Sequence, residues 1–126
     1  MITTNESKED YLERILMLQE SGNSNVHAVN IAESMGYSKA SVSIALKKLE
    51  DSGLVSVGEK QVLTLTEEGR KIAKKIYERH QVIGGIFIAL GVPKETAYED
   101  ACKVEHDLSE ETFQALYSSD AQGRYT

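Results

Sequence analysis

The segment that most narrows the fold is Ser38 to Leu65, SKASVSIALKKLEDSGLVSVGEKQVLTL. Ser38 is a good N-cap. Val42, Ala45, Leu46 and Leu49 then recur at helical spacing, which predicts a helix from Lys39 to Asp51 with one buried face. Gly53 ends it, and the period changes from helical to two. LVSVGEKQVLTL alternates around GEK, which predicts a hairpin of Leu54 to Val57 and Val62 to Leu65. Upstream, MGYS supplies a tight turn at Gly36. Val29, Ile31, Ala32 and Met35 predict a short helix from about Ala28 to Ser34. Two helices joined by a glycine-containing turn and followed by a hairpin form a winged helix-turn-helix.

The flanking sequence is helical. Ser7 is the expected cap of a first helix from about Lys8 to Glu20, with Tyr11, Leu12, Ile15, Leu16 and Leu18 on its apolar positions. SGNSN, Ser21 to Asn25, is a loop. Thr66, followed by Glu67 and Glu68, starts a long fourth helix reaching about Leu90. Pro93 occupies a first-turn position of a fifth helix ending near Asp107. Ser109 caps a sixth, from Glu110 to about Ser118, and the tail SDAQGRYT is expected to fray. The fold class is therefore mainly α: a winged helix-turn-helix with a small β-hairpin wing over 1–70, then a helical domain over 71–126. Ile72, Ile76, Ile83, Ile86, Phe87 and Leu90 offer more apolar surface than one short domain needs, so the second part is expected to make a homodimer.

Charge points to the partner. The net charge of −6 argues against DNA until it is divided along the chain. Residues 1–37 carry 2 basic and 6 acidic residues, residues 38–80 carry 9 and 6, and residues 81–126 carry 3 and 8. A basic middle suited to a polyanion lies between acidic ends suited to cations; chance clustering on a solvated surface is the other reading. In a helix-turn-helix the second helix enters the major groove. That assigns Ser38, Lys39, Ala40, Ser41, Ser43, Ile44 and Lys47 to double-stranded DNA, and Lys60 to a phosphate beside the wing. Ile44 is apolar on the face away from the expected core. It is placed against a thymine methyl, the alternative being packing under the wing or against helix one. No arginine stands in this helix, so bidentate guanine reading is absent and shape readout gains weight. A single motif binds weakly, which favours a dimer on a palindromic operator.

Other classes fit less well. The longest apolar stretch, Val82 to Val92, has about 11 residues and three glycines, against the ~20 of a membrane span. The polar N-terminus does not read as a signal peptide, and the single cysteine suits the cytoplasm. No phosphate loop, zinc-protease motif or nucleophile elbow is present, so no enzyme is expected.

One further constellation concerns metal. Cys102, Glu105 and His106 share one helix face at i, i+3 and i+4. Asp10 and Glu13 share a face of helix one, and His80 lies in mid helix four, in a chain with only 3 histidines. Thiolate, carboxylate and imidazole together suit a transition metal. Each residue also has a plainer reading: Cys102 as a small buried apolar group, Asp10 as a capping partner of Ser7, His80 as a satisfied interior histidine. His27, in the loop before helix two, receives no role.

EDYLERI, IAESMGYSKASVSIALKKLEDSGLV, LTEEGRKIAKKIYERH and DACKVEHDLS together resemble the diphtheria toxin repressor and manganese transport regulator family of metal-dependent repressors, over Glu6 to about Leu116. The resemblance implies a winged helix domain plus a helical dimerisation domain with metal between them, repressing metal-uptake genes. By position it assigns Asp10, Glu13, His80, Cys102, Glu105 and His106 as ligands. Manganese-type members have Asp and Glu where this chain has Asp10 and Cys102; iron-type members have Met and Cys, so the set is mixed. Iron-type members also use a Glu and a His where Gly84 and Tyr98 stand here, which counts against that ancillary site. The extra C-terminal domain of larger members is not expected. Carboxylates and imidazoles favour Mn(II) or Fe(II), and a thiolate shifts preference to Fe(II), slightly ahead of Mn(II), with Zn(II) or Co(II) binding in vitro. The competing reading is a metal-independent winged helix regulator answering to a small organic ligand.

Overall fold

The computed structural model describes residues 5–121, with side chains over 8–119. In order, the elements are α1 (Asn5–Glu20), α2 (Ala28–Met35), α3 (Lys39–Asp51), β1 (Val55–Val57), β2 (Leu63–Leu65), α4 (Glu67–Ala89), α5 (Lys94–Val104) and α6 (Glu110–Ala121). They divide into two compact units, one up to Lys74 and one from Lys75. Among the described residues no helix is long and apolar enough to cross a membrane.

The first unit is a winged helix-turn-helix. Tyr11, Leu12, Ile15 and Leu16 of α1 are buried, and α1 packs against α2, α3 and β2. The turn after α2 follows from Gly36, which adopts a left-handed conformation (φ 73°) that a side chain would strain. Its N–H and that of Tyr37 both donate to the Ala32 carbonyl, closing the helix end. Ser38 caps α3 as its type predicts, its Oγ accepting from the Ser41 N–H at 3.1 Å. Val42, Leu46 and Leu49 then fill the core.

The hairpin is antiparallel, with Val55 opposite Leu65 and Val57 opposite Leu63. It is shorter than the alternation predicts. The Leu54 N–H is taken by the Leu49 carbonyl at the end of α3, and the Leu54 carbonyl accepts from Thr66, so Leu54 serves as a hinge and not as a strand residue. The tip departs further from expectation. A single 3₁₀ turn covers Glu59–Gln61, and the left-handed residues are Lys60 (φ 58°) and Gln61 (φ 61°), while Gly58 is extended.

The second unit packs Ile76, Ile83, Ile86, Ala97, Ala101 and Phe113. Several boundaries move relative to the sequence reading. α1 begins at Asn5, ahead of Ser7, whose side chain lies outside the described residues. Pro93 is the N-cap of α5 and not a residue of its first turn; its extended ψ of 144° sets the chain's direction into the helix. α5 ends at Val104, three residues before Asp107, leaving Glu105 as its C-cap and His106 in the following turn. α6 continues to Ala121, so Ser119, Asp120 and Ala121 are helical; the rest of the expected frayed tail, 122–126, lies outside the described residues.

One packing contact sets a test. Gly69, in the first turns of α4, is buried, and a Cβ there would run into the Leu54 carbonyl oxygen, which is backbone and cannot rotate away. Gly69→Ala therefore destabilises the protein by about 1–3 kcal/mol, although helix propensity alone favours alanine by up to ~1 kcal/mol. A denaturant midpoint above the wild-type value would refute this reading of the contact.

Candidate metal centre and DNA-facing surface

Of the six proposed ligands, the second unit supplies four. His80 is buried on α4, at 8% exposure. Cys102 is half-buried on α5, one turn before Glu105. The Glu105 side chain has no exposure at all, and that of His106 has 2%. His80 Nδ1 lies 3.0 Å from Glu105 Oε2, and His106 Nε2 lies 3.4 Å from Glu105 Oε1. Two imidazoles from different elements thus converge on the two oxygens of one buried carboxylate.

The donor types suit a transition metal: imidazole nitrogen and carboxylate oxygen are ligands that Mn, Fe and Zn all accept. The two His–Glu separations are to different oxygens of the carboxylate.

Two features orient the set. Arg79, 5% exposed and adjacent to His80, reaches to the far end of α5. Its Nη1 donates to the carbonyls of Glu105 (2.9 Å) and Leu108 (2.7 Å), and its Nη2 to the Glu110 carboxylate (3.0 Å). Its guanidinium lies over the Phe113 ring at 5.2 Å. These bonds take up carbonyls at the helix end and fix the turn that carries Glu105 and His106. Second, the Tyr98 ring stacks on His80, with centroids 5.0 Å apart and planes inclined by 23°. The ring lies so close to Gly84 that a Cβ there would collide with its edge. The two positions that depart from the iron-type pattern are thus one packing unit: the missing side chain at 84 is the space that Tyr98 fills.

In the first unit, Asp10 and Glu13 lie one turn apart on α1, Asp10 half-buried and Glu13 buried at 4% exposure. Burial pushes the Tyr11 hydroxyl pKa up, with Tyr37 and the Asp10 carboxylate adding to the effect.

The proposed DNA-facing residues are all exposed: Ser38, Lys39, Ala40, Ser41, Ser43, Ile44 and Lys47 on and before α3, and Lys60 at the wing tip. Ile44 is 60% exposed, so it does not pack under the wing or against α1. Two of the polar groups have local engagements. Ser38 Oγ caps α3 and donates to Ser41 Oγ at 3.0 Å. Lys47 lies 3.5 Å from Asp51, an exposed pair worth little against a phosphate. Sequence reasoning missed Arg79, Tyr98 and His27 as structural partners.

The comparisons with known proteins agree with this architecture. Residues 3–63 match the iron dependent repressor N-terminal DNA binding domain, and residues 66–119 match the iron dependent repressor metal binding and dimerisation domain. A helix-turn-helix transcriptional regulator of Methanocaldococcus jannaschii, itself uncharacterised, is 38% identical over 113 residues, covering 88% of this chain and 90% of the relative. The transcriptional regulator MntR of Escherichia coli is 37% identical over 109 residues, covering 86% and 69%. The structure of a manganese-dependent transcriptional repressor in complex with manganese superposes with a TM-score of 0.81 at 28% identity, over 94% of this chain. This chain spans 53% of the length of that repressor.

Glu110 provides a test of the Arg79 clamp. Its carboxyl pKa is lowered, first by the Gln114 amide (2.8 Å) and then by Arg79, with Lys75 contributing charge. A carboxyl whose pKa is lower folded than unfolded stabilises the fold above its unfolded pKa, and that contribution is lost as pH falls through its folded pKa. Glu110→Gln is therefore less stable than wild type near neutral pH, and the two converge as pH drops through the acidic range. Denaturation midpoints from ~pH 7 to about 3 measure this; a gap that persists at the acid end contradicts it.

Proposed function

The chain belongs to the iron-dependent repressor family of metal-dependent transcriptional repressors, and from that premise we propose that it acts as a homodimer on a palindromic operator when Fe(II) or Mn(II) is bound, controlling metal-uptake genes. The observation that carries the metal part is the fully buried Glu105 carboxylate with His80 at 3.0 Å and His106 at 3.4 Å from its two oxygens. The family's members are repressors and not enzymes, and the protein is assigned to the cytoplasm.

We assign DNA reading to 1–70 and metal binding and dimerisation to 71–126. Asp10, Glu13, His80, Cys102, Glu105 and His106 are the proposed donors. A bound divalent cation would supply the positive charge that this carboxylate-rich set needs. Asp10 and Glu13 contribute hard oxygen donors from α1. Glu105 presents both oxygens and is held in place by the Arg79 bond to its own carbonyl. His80 is kept in plane by the Tyr98 ring, which also fills the ancillary position. Cys102 is the residue that moves preference from Mn(II) toward Fe(II), and Zn(II) or Co(II) bind in vitro. Metal regulates DNA binding only through a difference in its affinity for the DNA-competent and incompetent arrangements.

On the DNA side, Lys39, Lys47 and Lys60 neutralise phosphates. Ser38, Ala40, Ser41 and Ser43 lie at the approach of α3, and the exposed Ile44 supplies an apolar contact for a thymine methyl.

The test is selection of a duplex from a randomised library by protein loaded anaerobically with Fe(II) or Mn(II), followed by titration of that duplex. Chelation, Glu105→Ala and His106→Ala should each weaken binding by ~5–150-fold, the range of a typical coupling. Equal affinity in all four states would discard the metal switch. An affinity unchanged with salt would discard the phosphate contacts.

A further inference from the structure

The wing tip is held from outside. Lys60 and Gln61 are consecutive residues in the left-handed region, with φ of 58° and 61°, and neither is a glycine or asparagine. Side chains disfavour that conformation, so the surrounding structure must impose it. Inside the loop, Gly58 N–H donates to the Val62 carbonyl (2.9 Å), and Gln61 and Val62 N–H donate back to Gly58 and Glu59 (both 3.2 Å). The remaining restraint comes from His27. Its Nε2 lies 3.1 Å from the Lys60 carbonyl oxygen. A carbonyl only accepts, so Nε2 carries the proton in this contact.

His27 is itself tightly placed. It is the N-cap of α2, in extended conformation, and its N–H donates to Asn30 Oδ1 at 2.7 Å. Its carbonyl accepts from Asn30 and Ile31. The preceding residue, Val26, is fully buried, and its carbonyl accepts from Leu63 of β2 at 2.8 Å. So the entry to the helix-turn-helix is bonded to the wing twice: once through backbone at Val26–Leu63, and once through the imidazole at the tip.

We propose that His27 is a positioning residue for DNA binding: by holding the Lys60 carbonyl it fixes the tip lysine against the helix-turn-helix frame, where it meets a phosphate. The inference rests on the DNA-binding reading above. It also accounts for a side chain that neither the metal centre nor the α3 surface uses. Without the imidazole, Lys60 still carries its charge, but the strained tip loses its external restraint and the lysine samples positions away from the duplex.

The experiment is a cycle of wild type, His27→Ala, Lys60→Gln and the double variant, titrated against the selected duplex at several salt concentrations with Mn(II) saturating. Lys60→Gln should reduce the slope of log affinity against log salt by about 0.9. His27→Ala should reproduce part of that loss, add nothing in the Lys60→Gln background, and leave Mn(II) affinity unchanged. His27→Gln, which keeps a donor of similar reach, should restore binding. Amide hydrogen exchange at Gln61 and Val62 should rise in His27→Ala and return in His27→Gln. If His27 matters only as a helix cap, the variant loses thermal stability, its effect is additive with Lys60→Gln and the salt slope stays at the wild-type value; that pattern overturns the proposal. Unchanged exchange at the tip overturns it independently of DNA. Wild-type protein that binds no duplex at all instead sinks the DNA-binding reading, and this assignment with it.

Discussion

A carboxylate with no contact with water dictates the geometry of the C-terminal unit. An ionised carboxyl taken out of water costs several kcal/mol unless it is paired. Glu105 Oε2 lies 3.0 Å from His80 Nδ1 on α4, and Oε1 lies 3.4 Å from His106 Nε2 just past α5. Because the two imidazoles come from different elements, satisfying one side chain fixes the end of α5 against α4. The same requirement explains the company His80 keeps. Tyr98 bounds it on one face, and Arg79 fixes the backbone of its partner. Removing Glu105 takes a contact from both imidazoles, so the cost of that change is spread over three side chains.

The elements whose signals are local could be read from sequence. The helix over Lys39–Asp51 carries its cap, its apolar stripe and its stop within about fifteen residues, and all three act as their types predict. The wing was legible as an alternation around a turn. Its tip was not, because the usual rule puts left-handed backbone at glycine, whereas here Gly58 is extended and Lys60 and Gln61 bear the strain. The end of α5 was misread for a related reason. No breaker stands between Val104 and Asp107. Just past that end, the Arg79 guanidinium holds the carbonyls of Glu105 and Leu108 from 26 and 29 residues away in sequence. Window-based patterns carry no information on contacts at that separation.

The candidate site divides the same way. Residue types and spacing picked out Cys102, Glu105 and His106 as a group, although the latter two lie at the cap and in the turn and not on the helix body. What spacing could not give is burial. Glu105 and the lysines on α4 look alike as charged letters, yet one is fully enclosed and the others are exposed. Nor could it show that Gly84 and Tyr98 are a complementary pair, since a glycine in mid-helix reads as a mild defect until the ring that needs its space is seen.

Charge and burial together suggest why such a protein would be built from a net-acidic chain. The acidic surplus lies at the two ends, and the basic surplus in the segment that holds α3 and the wing. On the reading proposed above, the acidic ends hold five of the six cation donors, His80 being the last residue of the basic segment, and the cation lowers the very charge that repels DNA. If metal tightens DNA binding by a given factor, DNA tightens metal binding by the same factor, because both follow from one coupling free energy. The coupling is bounded by how differently the donor set holds its ion in the two arrangements. That bound is set by the rigidity of the donors, and Glu105, a proposed donor, has its side chain buried beside His80 and His106 and its backbone carbonyl bonded to Arg79.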